Sequence, residues 1–173
     1  MRTPASCLLL LLSLGCTMGS SVANGRATIV PRALGAEAVA RFQGHGAVAV
    51  VGGPAKDAWF VIDTRDGTQA NLKVWTDETA AFVARELPQR GCAVDAAAKK
   101  RLQITVVDVT GEVGFTKARV NVALRVQTGD GGAAEFSGST SSMRGFVFCS
   151  EDALSQAVQQ LLCDARVRAY LDS

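Results

Sequence analysis

The residues with chemistry to offer are a handful of thiols, one imidazole and scattered hydroxyls and carboxylates. Cys92, Cys149 and Cys163 lie far apart, with no C-x-x-C spacing and only His45 to join them. A structural zinc site needs four clustered thiolates or imidazoles, so no metal or other cofactor is expected. His45 sits between two glycines and reads as a loop residue. As a general base it would need a nucleophile and an orienting partner, and the spacing supplies neither. "GHGAVAVVGG", 44–53, is not G-x-G-x-x-G and carries no Lys-Ser/Thr pair, so its glycines read as turns flanking a strand. "FSGSTSS", 136–142, offers hydroxyls without the G-x-S-x-G of a nucleophile elbow. Asp63, Asp66, Asp77 and Glu78 lie beside turns and a helix start, where acids act as local caps. No catalytic residue is assigned, and a peptidoglycan hydrolase is disfavoured because no acid/base pair has convincing spacing. Lys117, Arg119 and Arg125 share one side of a strand and could meet anionic headgroups or glycans. A solvated sheet face explains them as well.

The other two cysteines bracket "CLLLLLSLGC", 7–16. Arg2 and the α-amino group form a short positive n-region, and residues 5–14 are nearly all apolar. Spanning a bilayer as a helix takes roughly 20 apolar residues, so this run suits a secretory signal instead. Two cleavage sites compete. One lies before Cys16, where "LSLGC" is similar to a bacterial lipobox with Ser13 and Leu14 exchanged from the usual order. The other lies after Ala23, with Ser21 and Ala23 as the small residues. The apolar run ends directly before Gly15, which favours Cys16 as a lipidated first residue. Thr17 then points to the outer membrane, since an Asp in that place favours inner-membrane retention. Each buried methylene of an acyl chain is worth about 0.8 kcal/mol, so two or three chains make a lasting anchor.

An oxidising compartment would permit disulfides among the remaining thiols. Cys149 and Cys163 are about 20 Å apart along one helix, beyond bonding reach. Cys92 with Cys163 is the better-placed pair, although Cys163 projects from the polar side. Three free thiols is the default expectation.

The elements that would position these groups follow from pattern. "TMGSSVANGRA", 17–27, is small and polar and reads as a flexible tether, giving a signal segment 1–15, a tether 16–27 and one domain 28–173. Strands are expected at 47–53 and 58–64, a turn at 66–69 and an extended continuation over 71–75. Residues 76–91 read as a helix capped by Thr76 or Asp77 and ended by Pro88 and Gly91. Three strands follow. The clearest is 117–127, with Ala118, Val120, Val122, Leu124 and Val126 facing one way. The Val106-Val107 pair breaks the alternation of the strand before it and marks a bulge. "TGDGG", 128–132, supplies a hairpin turn to the third. Ser150, Glu151 and Asp152 start a last helix with an apolar face from Leu154 to Ala165. Arg166 and Arg168 sit near its negative end. This order predicts an α+β two-layer sandwich: a mainly antiparallel sheet with two helices packed on one face.

The chain has 173 residues, 18 basic and 16 acidic, with aromatics at 6%. That balance gives no support to a nucleic-acid binder. The order of a helix ending in "RG", then "LQITVVDV", "KARVNVALRV", "FSGS" and "ALSQAVQQLLCDARVRAYL" resembles the YajG family of bacterial lipoproteins over residues 71–172. "ATIVP" near the start fits too, while 32–70 match poorly. The resemblance implies an outer-membrane lipoprotein facing the periplasm, with no established enzyme activity. The expected role is a non-enzymatic binding or assembly accessory of the cell envelope. Its partners would be the membrane, through the lipid on Cys16, and an envelope protein. An auxiliary of lipid or lipopolysaccharide transport, holding an apolar ligand between helices and sheet, is the alternative.

Overall fold

The computed structural model describes residues 19–44, 46–63 and 67–173. The expected signal segment, Cys16 and His45 therefore lie outside the described residues, as does Asp66. The chain forms β1 (Ser21–Ala23), β2 (Arg26–Thr28), β3 (Ala47–Gly52), β4 (Trp59–Asp63), β5 (Thr68–Asn71), α1 (Leu72–Gln89), β6 (Ala93–Val94), β7 (Lys100–Val113), β8 (Ala118–Thr128), β9 (Ala133–Ser142), α2 (Phe146–Cys163) and α3 (Ala165–Asp172). Five strands make the main sheet in the order β6-β3-β7-β8-β9, and four make a smaller one in the order β1-β2-β5-β4. β3 pairs in parallel with β6 and β7, whereas β7-β8-β9 is an antiparallel meander that contributes most of the paired residues. The class is the expected α+β sandwich.

Alternation explains the meander. Ala118, Val120, Val122, Leu124 and Val126 are all buried while Arg119, Asn121, Arg125 and Gln127 are exposed. A period of two places one set under the helices and the other in water. The register of β7 slips between Val106 and Asp108, at the expected bulge. α1 lies over β3 and β7, and α2 over β8 and β9. Leu154, Ala157, Val158, Leu161 and Leu162 of α2 meet Val120, Val122 and Leu124 in one core. Gly138 on β9 lets α2 come that close. A Cβ there would fall on the carbonyl oxygen of Ala153, 2.8 Å from its carbon and 3.0 Å from Ala157 N. α1 runs against β7, with Thr76 at Val106 and the C-terminal end of the helix near the start of the strand. α2 runs against β9, from Cys149 beside Ser142 to Ala153 and Ala157 beside Gly138, and β9 points the same way as β7. The two helices are thus parallel to each other.

Four expectations are corrected. Residues 71–75 do not stay extended: Asn71 ends β5 and caps α1, its Oδ1 accepting from Lys73 N at 2.9 Å and Val74 N at 3.2 Å. Thr76 is then a buried helix residue, and its hydroxyl accepts the Val106 N–H at 2.9 Å, just beyond the last residue β3 pairs with. α2 starts at Phe146, not Ser150, whose hydroxyl instead donates to Phe146 O at 2.9 Å. The last helix is two helices: Asp164 is extended and caps α3 through Arg166 N and Val167 N. Part of the expected tether is strand rather than flexible chain. Residues 21–28 fold as an antiparallel hairpin, and β2 pairs with β5. The indole of buried Trp75 donates to Ala27 O at 3.0 Å, locking that hairpin to α1.

Candidate functional site

Residues 30–44 form an irregular strap, turned once where Ala38 N donates to Gly35 O, laid across both helices. Its backbone is held from each side. Arg32 N donates to Ser155 Oγ at 2.7 Å, Gln159 donates to Ala38 O at 3.3 Å, and Phe42 N donates to Arg90 O at 2.8 Å. Arg168 donates to Ala40 O at 3.0 Å and Arg41 O at 2.8 Å, and reaches Leu162 O at the end of α2 at 3.4 Å. This matches its expected place at a negative helix end. Val39 and Phe42 are buried beneath the strap. At its far end Asp172 accepts from Gln43 N at 2.6 Å and Gly44 N at 3.0 Å. These two bonds, Gln43 first, hold its carboxyl below the ordinary range despite some opposing burial. Gly44 lies so close to Leu171 O that a Cβ would stand 2.5 Å away.

Where the strap enters, it bounds a cavity of about 380 Å³. Val30 and Pro31 line one side, and Phe82, Arg85, Glu86 and Gln89 of α1 the other. Spacings of three, four and seven put those four on one helical face. Ser20 and Glu151 complete the rim. Glu86 and Arg90 are both about 95% buried at the side chain, with Oε2 3.0 Å from Nη2. That contact is an ion pair by distance alone, since among the described residues neither Glu86 Oε2 nor Arg90 Nε has a hydrogen-bond partner. Arg90 Nη2 also donates to Leu34 O and Gly35 O, each at 3.3 Å. Arg32 pairs with Glu151 at 2.9 Å and Asp152 at 3.0 Å while stacking on Phe148, 3.6 Å from the ring centre. The site therefore offers an apolar wall beside both signs of charge. It suits a ligand with an apolar part and a charged head.

The residues singled out in the sequence lie elsewhere. Arg125 is bound by Glu135 at 2.7 and 3.0 Å, which takes it out of a stripe with Lys117 and Arg119; Arg119 stands opposite Glu112 on the ladder without an ion pair among the described residues. Ser139 donates to Asn121 Oδ1 at 2.6 Å, and Asn121 donates to Thr110 at 3.3 Å. β9 turns Ser139 and Ser141 to the wet face of the sheet. Asp77 pairs with Lys73. Among the described residues no group of three His, Cys, Asp or Glu side chains is arranged to hold a metal ion.

Cys92, Cys149 and Cys163 are free thiols, so the Cys92–Cys163 bond is not formed. Cys163 is exposed, on the side of α2 away from the core, with its thiol 3.5 Å from Ala38 O. Cys92 and Cys149 are buried, and burial pushes both thiols up from their ordinary range. Glu86, Arg90 and Arg32 were not singled out in the sequence. The i,i+4 spacing of Glu86 and Arg90 within an apolar face was the available signal.

No family model matches the chain, and no curated protein does. A solved structure does resemble it: protein XCC0632 from Xanthomonas campestris, of family DUF330. The two share 17% identity at a TM-score of 0.53, over 88% of this chain and 93% of that one. At that identity it is the fold that the two proteins have in common.

Proposed function

We propose that the protein is a lipid-anchored, periplasm-facing lipoprotein of the outer membrane, of YajG type, acting as a non-enzymatic binding or assembly accessory of the cell envelope. One observation carries the reading: the apolar run closes on Gly15-Cys16, and the folded body begins directly after it, at β1. The binding role is supported by the sheet. Helices cover one face of the main sheet, and the other presents the exposed row Arg119, Asn121, Arg125, Ser139 and Ser141. Intact mass of the mature chain tests the anchor, expected to show acyl groups and a start at Cys16. Cys16→Ser is expected to leave the membrane fraction, and unchanged mass and fractionation would overturn the reading. A photo-crosslinker at Ser139 tests the face. It is expected to give an adduct with an envelope protein, and the absence of any adduct counts against a partner there.

A second reading rests on the cavity under the strap. Its apolar wall of Val30, Pro31 and Phe82 would suit an acyl chain, as an auxiliary of lipid transport requires. Native mass spectrometry of the purified chain would show a copurifying lipid, lost in Phe82→Trp, and an unliganded mass would reject this reading.

A further inference from the structure

If Cys16 carries the lipid, the leash to the body is very short. Ser20 is already fixed, its hydroxyl accepting the Val30 N–H at 2.8 Å. Four residue steps from Cys16 to Ser20 reach at most about 14 Å. The end of the molecule that holds Ser20 must therefore sit at the headgroups.

A relay of contacts leads from there to a separate exposed patch. Two residues beyond Val30, Arg32 stacks on Phe148 from one side, and Arg144 stacks on the same ring at 4.0 Å. Arg144 follows Met143, which is 78% exposed. Ser142 pairs with Ala118 across the β8-β9 ladder, and the Cys149 thiol donates to Ala118 O at 3.4 Å. Ala118 ends the turn that carries Phe115, whose side chain is wholly exposed. Lys117, Arg119 and Arg144 surround these two apolar groups and are exposed. Among the described residues none of the three forms an ion pair, while the nearby acids Glu151 and Asp152 are taken up by Arg32. Glu112 remains, opposite Arg119.

We propose that this patch docks on an anionic lipid surface. Phe115 and Met143 enter the apolar boundary, and Lys117, Arg119 and Arg144 lie among the phosphates. The orientation rests on the lipid-anchor reading of Cys16, but the patch can be tested apart from it. Among the described residues every buried core side chain lies between Ala27 and Leu171, so a chain of residues 19–173 keeps that core. That chain is expected to float with phosphatidylglycerol vesicles and to stay behind with phosphatidylcholine alone. Phe115→Ser with Met143→Ser is expected to weaken flotation by at least about tenfold, because two exposed apolar side chains lose their burial. Lys117→Gln with Arg144→Gln is expected to weaken it too, and added salt to mimic that loss. Melting temperature should stay unchanged in the serine pair, whose side chains are exposed, and fall only slightly in the glutamine pair, which loses the Arg144–Phe148 stack. Failure of the wild-type chain to float, or flotation indifferent to the serine pair, overturns the proposal. So does a dimer that dissociates on the serine substitutions, which would assign the patch to a second copy of the chain. An acylated Cys16 with no flotation of 19–173 sinks the docking alone, and flotation with an unmodified Cys16 sinks the anchor alone.

Discussion

Glu86 and Arg90 face each other at 3.0 Å one turn apart on α1, in a place that solvent barely reaches. Arg90 is also the residue that grips the strap, through Leu34 O, Gly35 O and its own carbonyl to Phe42 N. Removing one partner of a buried pair leaves an uncompensated charge. Arg90→Met is expected to cost about 3 kcal/mol in urea unfolding. Glu86→Leu added to it should recover most of that loss, because no buried charge then remains. In Arg90→Met, hydrogen exchange of residues 34–42 should speed up more than that of β8.

Gly138 tests the close approach of α2 to β9. Gly138→Ala would drive a methyl into Ala153 O, which belongs to helix backbone and has no flexible end to move aside. The expected loss is about 3 kcal/mol, read as a lowered urea midpoint. Ser139→Ala, on the exposed face next door, should cost less than about 1 kcal/mol.

The thiols should separate by burial. In residues 19–173, Cys163 is expected to react quickly with a maleimide in the folded state, and Cys92 and Cys149 only on unfolding. Burial raises the last two, so the folded chain keeps protons that the unfolded chain releases near pH 8.5. Their contribution is complete below that pH and is lost as pH rises above it. Urea midpoints at pH 7 and pH 9.5 should differ less in a Cys92→Ala, Cys149→Ala variant than in the wild type.

Asp172 predicts the opposite slope. Its carboxyl is lowered by the Gln43 and Gly44 amides, so its stabilisation is present above the ordinary carboxylate value of about 3.9. That stabilisation is lost as pH falls below this value. Asp172→Ala should flatten this part of the acid unfolding curve and speed exchange of the Gln43 and Gly44 amides.

Much of the fold was legible because it is periodic. The alternation of β8, the bulge at Val107 and the "TGDGG" turn are local patterns, and all three reappear in the pairing. Boundaries were less legible where two local signals competed. Asn71 was read as strand, yet its side chain caps a helix. Ser150 was read as a cap, yet Phe146, Val147 and Phe148 ahead of it are drawn into the first turn by the core and the Arg32 stack. The strap escaped because it has no period at all. Most of the hydrogen bonds that tie it to the helices go to residues more than forty positions away.

By itself, the order of residues determined the class of fold and the side of each meander strand that meets water. Those follow from hydrophobic period and local turn chemistry, which need only near neighbours. Tertiary structure alone decided that 30–44 would bridge both helices, that Glu86 and Arg90 would be enclosed, and that Met143 would lie beside the turn that carries Phe115. Enclosure and shared ends are set by groups distant along the chain, brought together when the helices, sheet and strap exclude water between them.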